Sequence, residues 1–492
     1  MTRALVALDR DSAEPLYRQL REALAHGIAC GTLDATAPLP PTRQLAAELG
    51  LSRNTINAAY QELIAEGFIN ARPRRGLFVN PQMRPHVARV ADSGTAAPAR
   101  PPTFDWAARL APPTAEDLPQ VCKPADWHRK PYPFAVGQPD VSHFPARAWS
   151  RALRDALLPE HLHASLDDHV AADDPLLIAT LRRQVLSARG VEADPDQILI
   201  TMGSQHALSL LAGLLLGPGA TVGVEDPGYL DARHIFTRAG ATLRPIPVDA
   251  DGLVPPPQDR LGDLDLLYLT PSHHHPTNAT LSMGRRREVL AGLTGRDTVV
   301  IEDDYDSELR YAGSPSPALK SLDQAGRVVY LGTFSKFLAP GLRLGYLVGS
   351  RELVAELRAR RRYELRHPPG HQQRALALLI ADGDYQRIVR QHRQRMRGRW
   401  EESVVAVRTH LPWQTDFPAG GGSLWMTGPP VLDCRRLQSA ALEHGIVIER
   451  GDIFFSAQDP PRNHFRLGFS AIPRHRIEPG LRLLAQIADT IT

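Results

Sequence analysis

Lys336 stands inside LGTFSKFLAPGLRLGYLVG, residues 331–349, with Phe334, Phe337 and Leu338 around it and small residues beyond. The chain holds four lysines (Lys123, Lys130, Lys320, Lys336) against a large excess of arginine. An amine kept in this apolar setting needs a chemical reason. Burial disfavours an ammonium and leaves a neutral, nucleophilic amine. Such an amine forms a Schiff base with an aldehyde, which would hold the nitrogen covalently.

Other segments carry what one aldehyde cofactor, pyridoxal 5'-phosphate, requires. Its ring acts as an electron sink only with an anion beside the ring nitrogen, a partner against the ring face and a cradle for the phosphate. VVIEDDY places Asp303 and Tyr305 where an apolar run stops, the sheet edge at which α/β proteins bind ligands. TMGSQHALSLLAGLLL offers a Gly203-Ser204-Gln205 turn opening a helix, whose free N–H groups suit a phosphate. Thr333 and Arg343 flank the lysine segment and can reach the same phosphate, and Tyr229 in EDPGYLDAR is suited to lie over a ring. Each element alone is ordinary. The set in one chain order is the informative feature.

That order resembles the fold type I aminotransferases, continuously from about residue 132 to the end. The resemblance implies that Lys336 carries the coenzyme, that Asp303 pairs with the pyridine nitrogen, that Tyr305 bonds the ring hydroxyl and that Tyr229 stacks. It aligns Arg466 of FRLGFS with the arginine that clamps an amino acid's carboxylate bidentately. The chain departs from the pattern in YLTPSHHHPTNATLS, where His274 replaces glutamine and Asn278 replaces glycine, and in AADDPLLIATL, where Leu177 and Ile178 stand for Gly and Tyr. These changes are expected near the substrate pocket. Three adjacent histidines invite a metal, but His273 and His275 supply two ligands with no third, so no metal is assigned. His275, aligned with the ring-hydroxyl asparagine, is read as a cofactor-ring contact.

Residues 1–80 need a different chemistry. EPLYRQLREALAHGIACG is an amphipathic helix, and TRQLAAELG-LSRNTINAAYQELIAEG reads as helix, tight turn, helix with Ser52 as N-cap. Ile56, Ala59, Tyr60 and Leu63 take one side of the second helix, leaving Arg53, Asn54 and Asn57 outward beside Thr55, with Arg43 on the helix before. Those donors and acceptors suit base edges in a major groove. FINARPRRGLFVN follows as a hairpin whose Arg72, Arg74 and Arg75 can touch phosphate. Nine arginines against eight acidic residues leave little net charge, so placement carries this reading. The region resembles the GntR-type winged helix-turn-helix through PLYRQL, LPPTRQLAAELGLSRNTI and the wing.

Two ends of such different chemistry set the expected architecture: an α/β chain with a winged helix-turn-helix at 1–80, an Ala/Pro-rich linker at 81–130, and at 131–492 an aminotransferase fold type I domain whose strand-like runs alternate with helices around a mainly parallel sheet. The whole resembles the MocR-type subfamily of GntR regulators. The resemblance implies a transcriptional regulator that binds double-stranded operator DNA as a homodimer, with a linker long enough for a domain-swapped arrangement, and senses a small amine or amino acid through external aldimine formation. The rival is a working aminotransferase with an appended DNA-binding module. A charge of +3, three scattered cysteines, an early charged N-terminus and no membrane-length apolar run make a cytoplasmic protein without a membrane partner the expectation.

Overall fold

The computed structural model describes residues 8–33, 36–83, 104–106, 109, 119–121, 123–137, 139–311, 316–413 and 415–491. The chain divides into two compact units, Met1–Leu110 and Ala111–Thr492.

In the first unit, α1 (Leu16–Ala29), α2 (Thr42–Leu49) and α3 (Arg53–Ala65) precede a two-stranded wing of β1 (Ile69–Arg72) and β2 (Gly76–Val79). The predicted apolar faces converge: Leu20, Ile28, Leu45, Ile56 and Leu63 are fully buried in one cluster. Truncating any of these leucines to alanine costs about 2–5 kcal/mol, which a unit this small can scarcely absorb. Gly50 ends α2 in the left-handed conformation (φ 63°), turning the chain toward α3. Ser52 caps α3 as expected, its hydroxyl accepting the Thr55 N–H at 3.1 Å.

The second unit is built on an eight-stranded sheet. Its strands are β4 (Ile198–Thr201), β5 (Thr221–Asp226), β6 (Thr242–Asp249), β7 (Gly252–Leu253), β8 (Leu266–Leu269), β9 (Val299–Asp304), β10 (Val328–Thr333) and β11 (Gly345–Val348), while β3 (Tyr132–Pro133) precedes them outside this sheet. The order is β4-β11-β10-β9-β8-β5-β6-β7. Parallel pairings run from β10 through β9, β8 and β5 to β6, and β11 lies antiparallel to both neighbours. The strand-like runs expected of this region, QILITMG, ATVGVEDP, LDLLYLTP, TVVIEDDY, RVVYLGT and LGYLVG, form six of these strands. Each is buried on both faces, as sheets covered by helices require. A smaller sheet orders β12 (Ser423–Thr427), β15 (His464–Gly468) and β14 (Glu449–Arg450), and β13 (Ile446–Val447) pairs with β3. Its own core includes Met426, Phe465, Leu467 and the helix Ile477–Ile491.

Candidate functional site

The parallel strands deliver their C-terminal ends to one edge, and nearly every residue picked out in the large domain sits there. Thr333 ends β10, and Lys336 follows three residues on. Lys336 lines a recess of about 190 Å³ together with Tyr229, His275, Tyr305, Asp306, Ser423, Glu449 and Arg466. Its Nζ lies 5.7 Å from the centre of the Tyr305 ring. A Cβ on Gly137 would approach that nitrogen to 3.0 Å, so the backbone there must be bare. Burial pushes the Lys336 amine below its ordinary pKa, while Asp306 pulls the other way.

Asp303, next to last in β9, pairs in register with Leu331 and is 3% exposed. Its Oδ2 accepts the Tyr268 hydroxyl at 2.9 Å, and its Oδ1 is buried with no hydrogen-bond partner among the described residues. Burial raises its pKa to about 7. The Tyr305 hydroxyl and His275 Nδ1 are likewise buried and unpartnered. His275 Nε2 lies 3.0 Å from Arg466 Nη1, and because a guanidinium only donates, Nε2 accepts and the ring proton belongs on Nδ1. Burial and then Arg466 keep that imidazole neutral. A buried carboxylate oxygen, a phenol and an N–H donor, each lacking a partner at one strand-end edge, fit a pyridine nitrogen and its ring hydroxyl.

The second feature of a coenzyme site is the phosphate end. Gly203 (φ 85°) opens the Ser204–Leu215 helix, and Ser204 and Gln205 form its first turn. A Cβ on Gly203 would lie 3.2 Å from Arg343 Nη2, and one on Gly345 would lie 2.8 Å from Gly203 Cα. Arg343 Nη2 donates to the Met202 carbonyl at 2.8 Å, holding the guanidinium over this turn. Gln205 and the Tyr229 hydroxyl both donate to Asp231 Oδ2. The Tyr229 ring meets His275 edge to face, centroids 5.0 Å apart.

Arg466 is less free than a bare carboxylate clamp. Its Nη1 is 3.3 Å from Glu449 Oε2, its Nη2 donates to Ser423 Oγ at 3.2 Å, and its Nε is buried without a partner among the described residues. Glu449 thus already occupies one edge of the guanidinium. The three adjacent histidines diverge: His273 pairs with Asp306 at 2.8 Å, His274 with Thr277 at 2.7 Å, and His275 with Arg466. Asn278 takes φ 62°, a conformation asparagine tolerates better than most residues, and ties across to Ser423. Leu177 and Ile178, expected near the pocket, pack instead in a hydrophobic cluster and do not line the recess. Buried Tyr268, Asp306 and Glu449 and half-buried Lys123 carry no motif of their own, and the sequence reading missed them.

In the first unit, Arg43, Arg53, Asn54 and Asn57 are exposed, and Thr55 is half-buried beside the cap. Arg74 and Arg75 form the exposed wing tip, whereas Arg72 stacks on Phe78 at 4.4 Å.

Residues 129–484 match the family "Aminotransferase class I and II", and residues 16–79 match "Bacterial regulatory proteins, gntR family". The chain is 39% identical over 474 residues to the HTH-type transcriptional regulator TauR of Rhodobacter capsulatus, covering 96% of each chain. It is 32% identical to the probable rhizopine catabolism regulatory protein MocR of Rhizobium meliloti, covering 98% of this chain and 95% of that one. Among solved structures, the α-aminoadipate aminotransferase LysN of Thermus thermophilus, complexed with N-(5'-phosphopyridoxyl)-L-leucine, superposes with TM-score 0.70 at 27% identity, over 79% of this chain and 99% of that one. From its two matched segments and these full-length relatives, the chain belongs to the MocR-type GntR transcriptional regulators, a winged helix-turn-helix joined to an aminotransferase-like domain.

Proposed function

We propose that the protein is a pyridoxal 5'-phosphate-dependent transcriptional regulator that binds operator DNA through α3 and the wing and responds to a small amine or amino acid at Lys336. The observation that carries this reading is a set of buried polar atoms without partners among the described residues, Asp303 Oδ1, Tyr305 Oη and His275 Nδ1 at the strand-end edge and Arg466 Nε beside His275. Left empty, each such group costs about 1–3 kcal/mol, so four together speak for a polar ligand.

When bound, the coenzyme supplies an aldehyde that condenses reversibly with a primary amine. Asp303 would hold the ring nitrogen's proton, with Tyr268 fixing the carboxylate's orientation. His275 and Tyr305 would donate to the ring oxygen, and Ser204, Gln205, Thr333 and Arg343 would receive the phosphate. Burial shifts Lys336 toward the neutral, reactive amine. An effector amine competes with it, and Asp306 stabilises the lysine's charge once it is released. Arg466 would bind an acidic group on the effector. An effector can move the DNA equilibrium only by binding the two states unequally.

The site retains much of what an aminotransferase uses, so turnover is the deciding measurement. Purified protein loaded with the coenzyme is expected to shift its visible absorbance on adding an effector amine, with no keto-acid product beyond one equivalent. Steady product formation from an amino acid and a keto acid would establish the enzyme reading instead. Sodium borohydride is expected to bleach the yellow wild-type chain while fixing the coenzyme to it as a stable secondary amine, and Lys336→Ala is expected to show neither the colour nor the fixed coenzyme.

A further inference from the structure

Lys123 comes from the Pro-rich stretch read in the sequence as linker, yet its ammonium lies in the recess. Nζ is 3.3 Å from Glu449 Oε1 and donates to the Val136 carbonyl. Glu449 pairs through Oε1 with Lys123 and through Oε2 with Arg466, and its side chain is 3% exposed. Two cations therefore share one buried carboxylate. The other acids lining the recess are engaged elsewhere, Asp306 with His273 and Asp231 with Gln205 and Tyr229. Neither cation has a carboxylate to itself, and each keeps hydrogen-bonding capacity that an anion in the recess can take up. Arg466 Nε, buried and without a partner, is a donor waiting for that anion.

We infer that Lys123 is an effector-specificity residue: with Arg466, and with Glu449 set between them, it selects primary amines that carry a single anionic head group, a carboxylate or sulfonate. The inference rests on the reading of Lys336 as the amine-exchanging residue. One anion gives Arg466 Nε its acceptor beside Lys123. A second anion would face Glu449 and is rejected, and an amine with no acid leaves that buried donor unmet. Pro119, four positions before Lys123 in the sequence, is tied to the same domain by His234, whose Nε2 lies 3.0 Å from the Pro119 carbonyl.

The full chain, loaded with coenzyme, is titrated with glycine, β-alanine, taurine, aspartate and propylamine, following visible absorbance. The preference is the half-saturation for propylamine divided by that for the best monoanionic amine. Lys123→Met is expected to lower this preference by about tenfold, since a hydrogen bond to a charged group is worth that much or more. Lys123→Arg restores it, and Glu449→Gln raises the tolerance for aspartate. A preference unmoved in Lys123→Met overturns the inference, because a merely structural lysine would shift all amines together. A second arm omits the coenzyme: 20–50 mM propionate (~ concentrations suited to millimolar affinities) is expected to raise the melting temperature of the wild-type chain and not of Lys123→Met, with n-propanol inactive on both. Equal effects of propionate on the two chains, or none on the wild type, overturn it. If no amine moves the wild-type absorbance, the coenzyme reading fails while the propionate arm still decides Lys123.

Discussion

Asp303 illustrates how one carboxylate can be costly when alone and useful when paired. Burial raises its pKa to about 7 from 3.8. Without coenzyme the folded chain therefore binds more protons than the unfolded one between those values. Stability falls as pH rises through that window and stays low above it, by up to about 4 kcal/mol. Asp303→Asn removes the titration yet still accepts the Tyr268 hydroxyl. Coenzyme-free Asp303→Asn is thus expected to gain melting temperature on wild type between pH 5 and pH 8, while losing coenzyme affinity. A variant that melts below wild type at pH 8 would contradict this. Asp303, Tyr305 and Lys336 were legible in the sequence because each stands at or just past the end of an apolar run, and that end marks the site. Glu449 and Lys123 were not. Their partners lie in other segments, and neither an acid before Arg450 nor a lysine among prolines signals which carbonyl or guanidinium it will meet.

At the scale of elements, two helix starts carry the two functions, and each has a distinct failure. Gly203 holds φ 85° and faces Arg343 at 3.2 Å, so Gly203→Ala strains the backbone and displaces the guanidinium together. It is expected to weaken coenzyme affinity by tenfold or more, roughly the effect of 1–3 kcal/mol of backbone strain, measured by fluorescence titration, without changing operator binding. Arg53→Ala and Asn57→Ala do the reverse. They are expected to reduce operator affinity in mobility shifts while the chromophore forms normally, and loss of colour in either would contradict the division of labour. The alternation of six apolar runs with helical patterns made the parallel sheet legible, since strands buried on both faces must be apolar throughout. The antiparallel insertion of β11 was not legible. A four-residue run, GYLV, looks the same whichever way it pairs, and only its register with Tyr330 and Ile200 decides.

For the whole molecule, the proposal joins a site that senses and a site that binds DNA, and thermodynamics sets a condition independent of geometry. If an effector changes operator affinity by some factor, operator must change effector affinity by the same factor, because both are one coupling free energy. A tenfold effect corresponds to about 1.4 kcal/mol. The measurement uses the coenzyme-loaded chain, a DNA fragment that it retards in a gel, and the amine giving the largest absorbance change. Operator affinity is taken with and without saturating amine, and amine half-saturation with and without saturating DNA, at one salt concentration because phosphate contacts make DNA affinity steeply salt-dependent. The two ratios are expected to agree within about a factor of two, small against the fivefold or greater coupling typical of allostery. Coupling seen in one direction only would mean that the amine is being consumed rather than bound, which is the signature of the enzyme. In the Lys336→Ala chain both ratios are expected to collapse to one, since without the amine that the effector must displace, effector and DNA no longer act on a shared equilibrium.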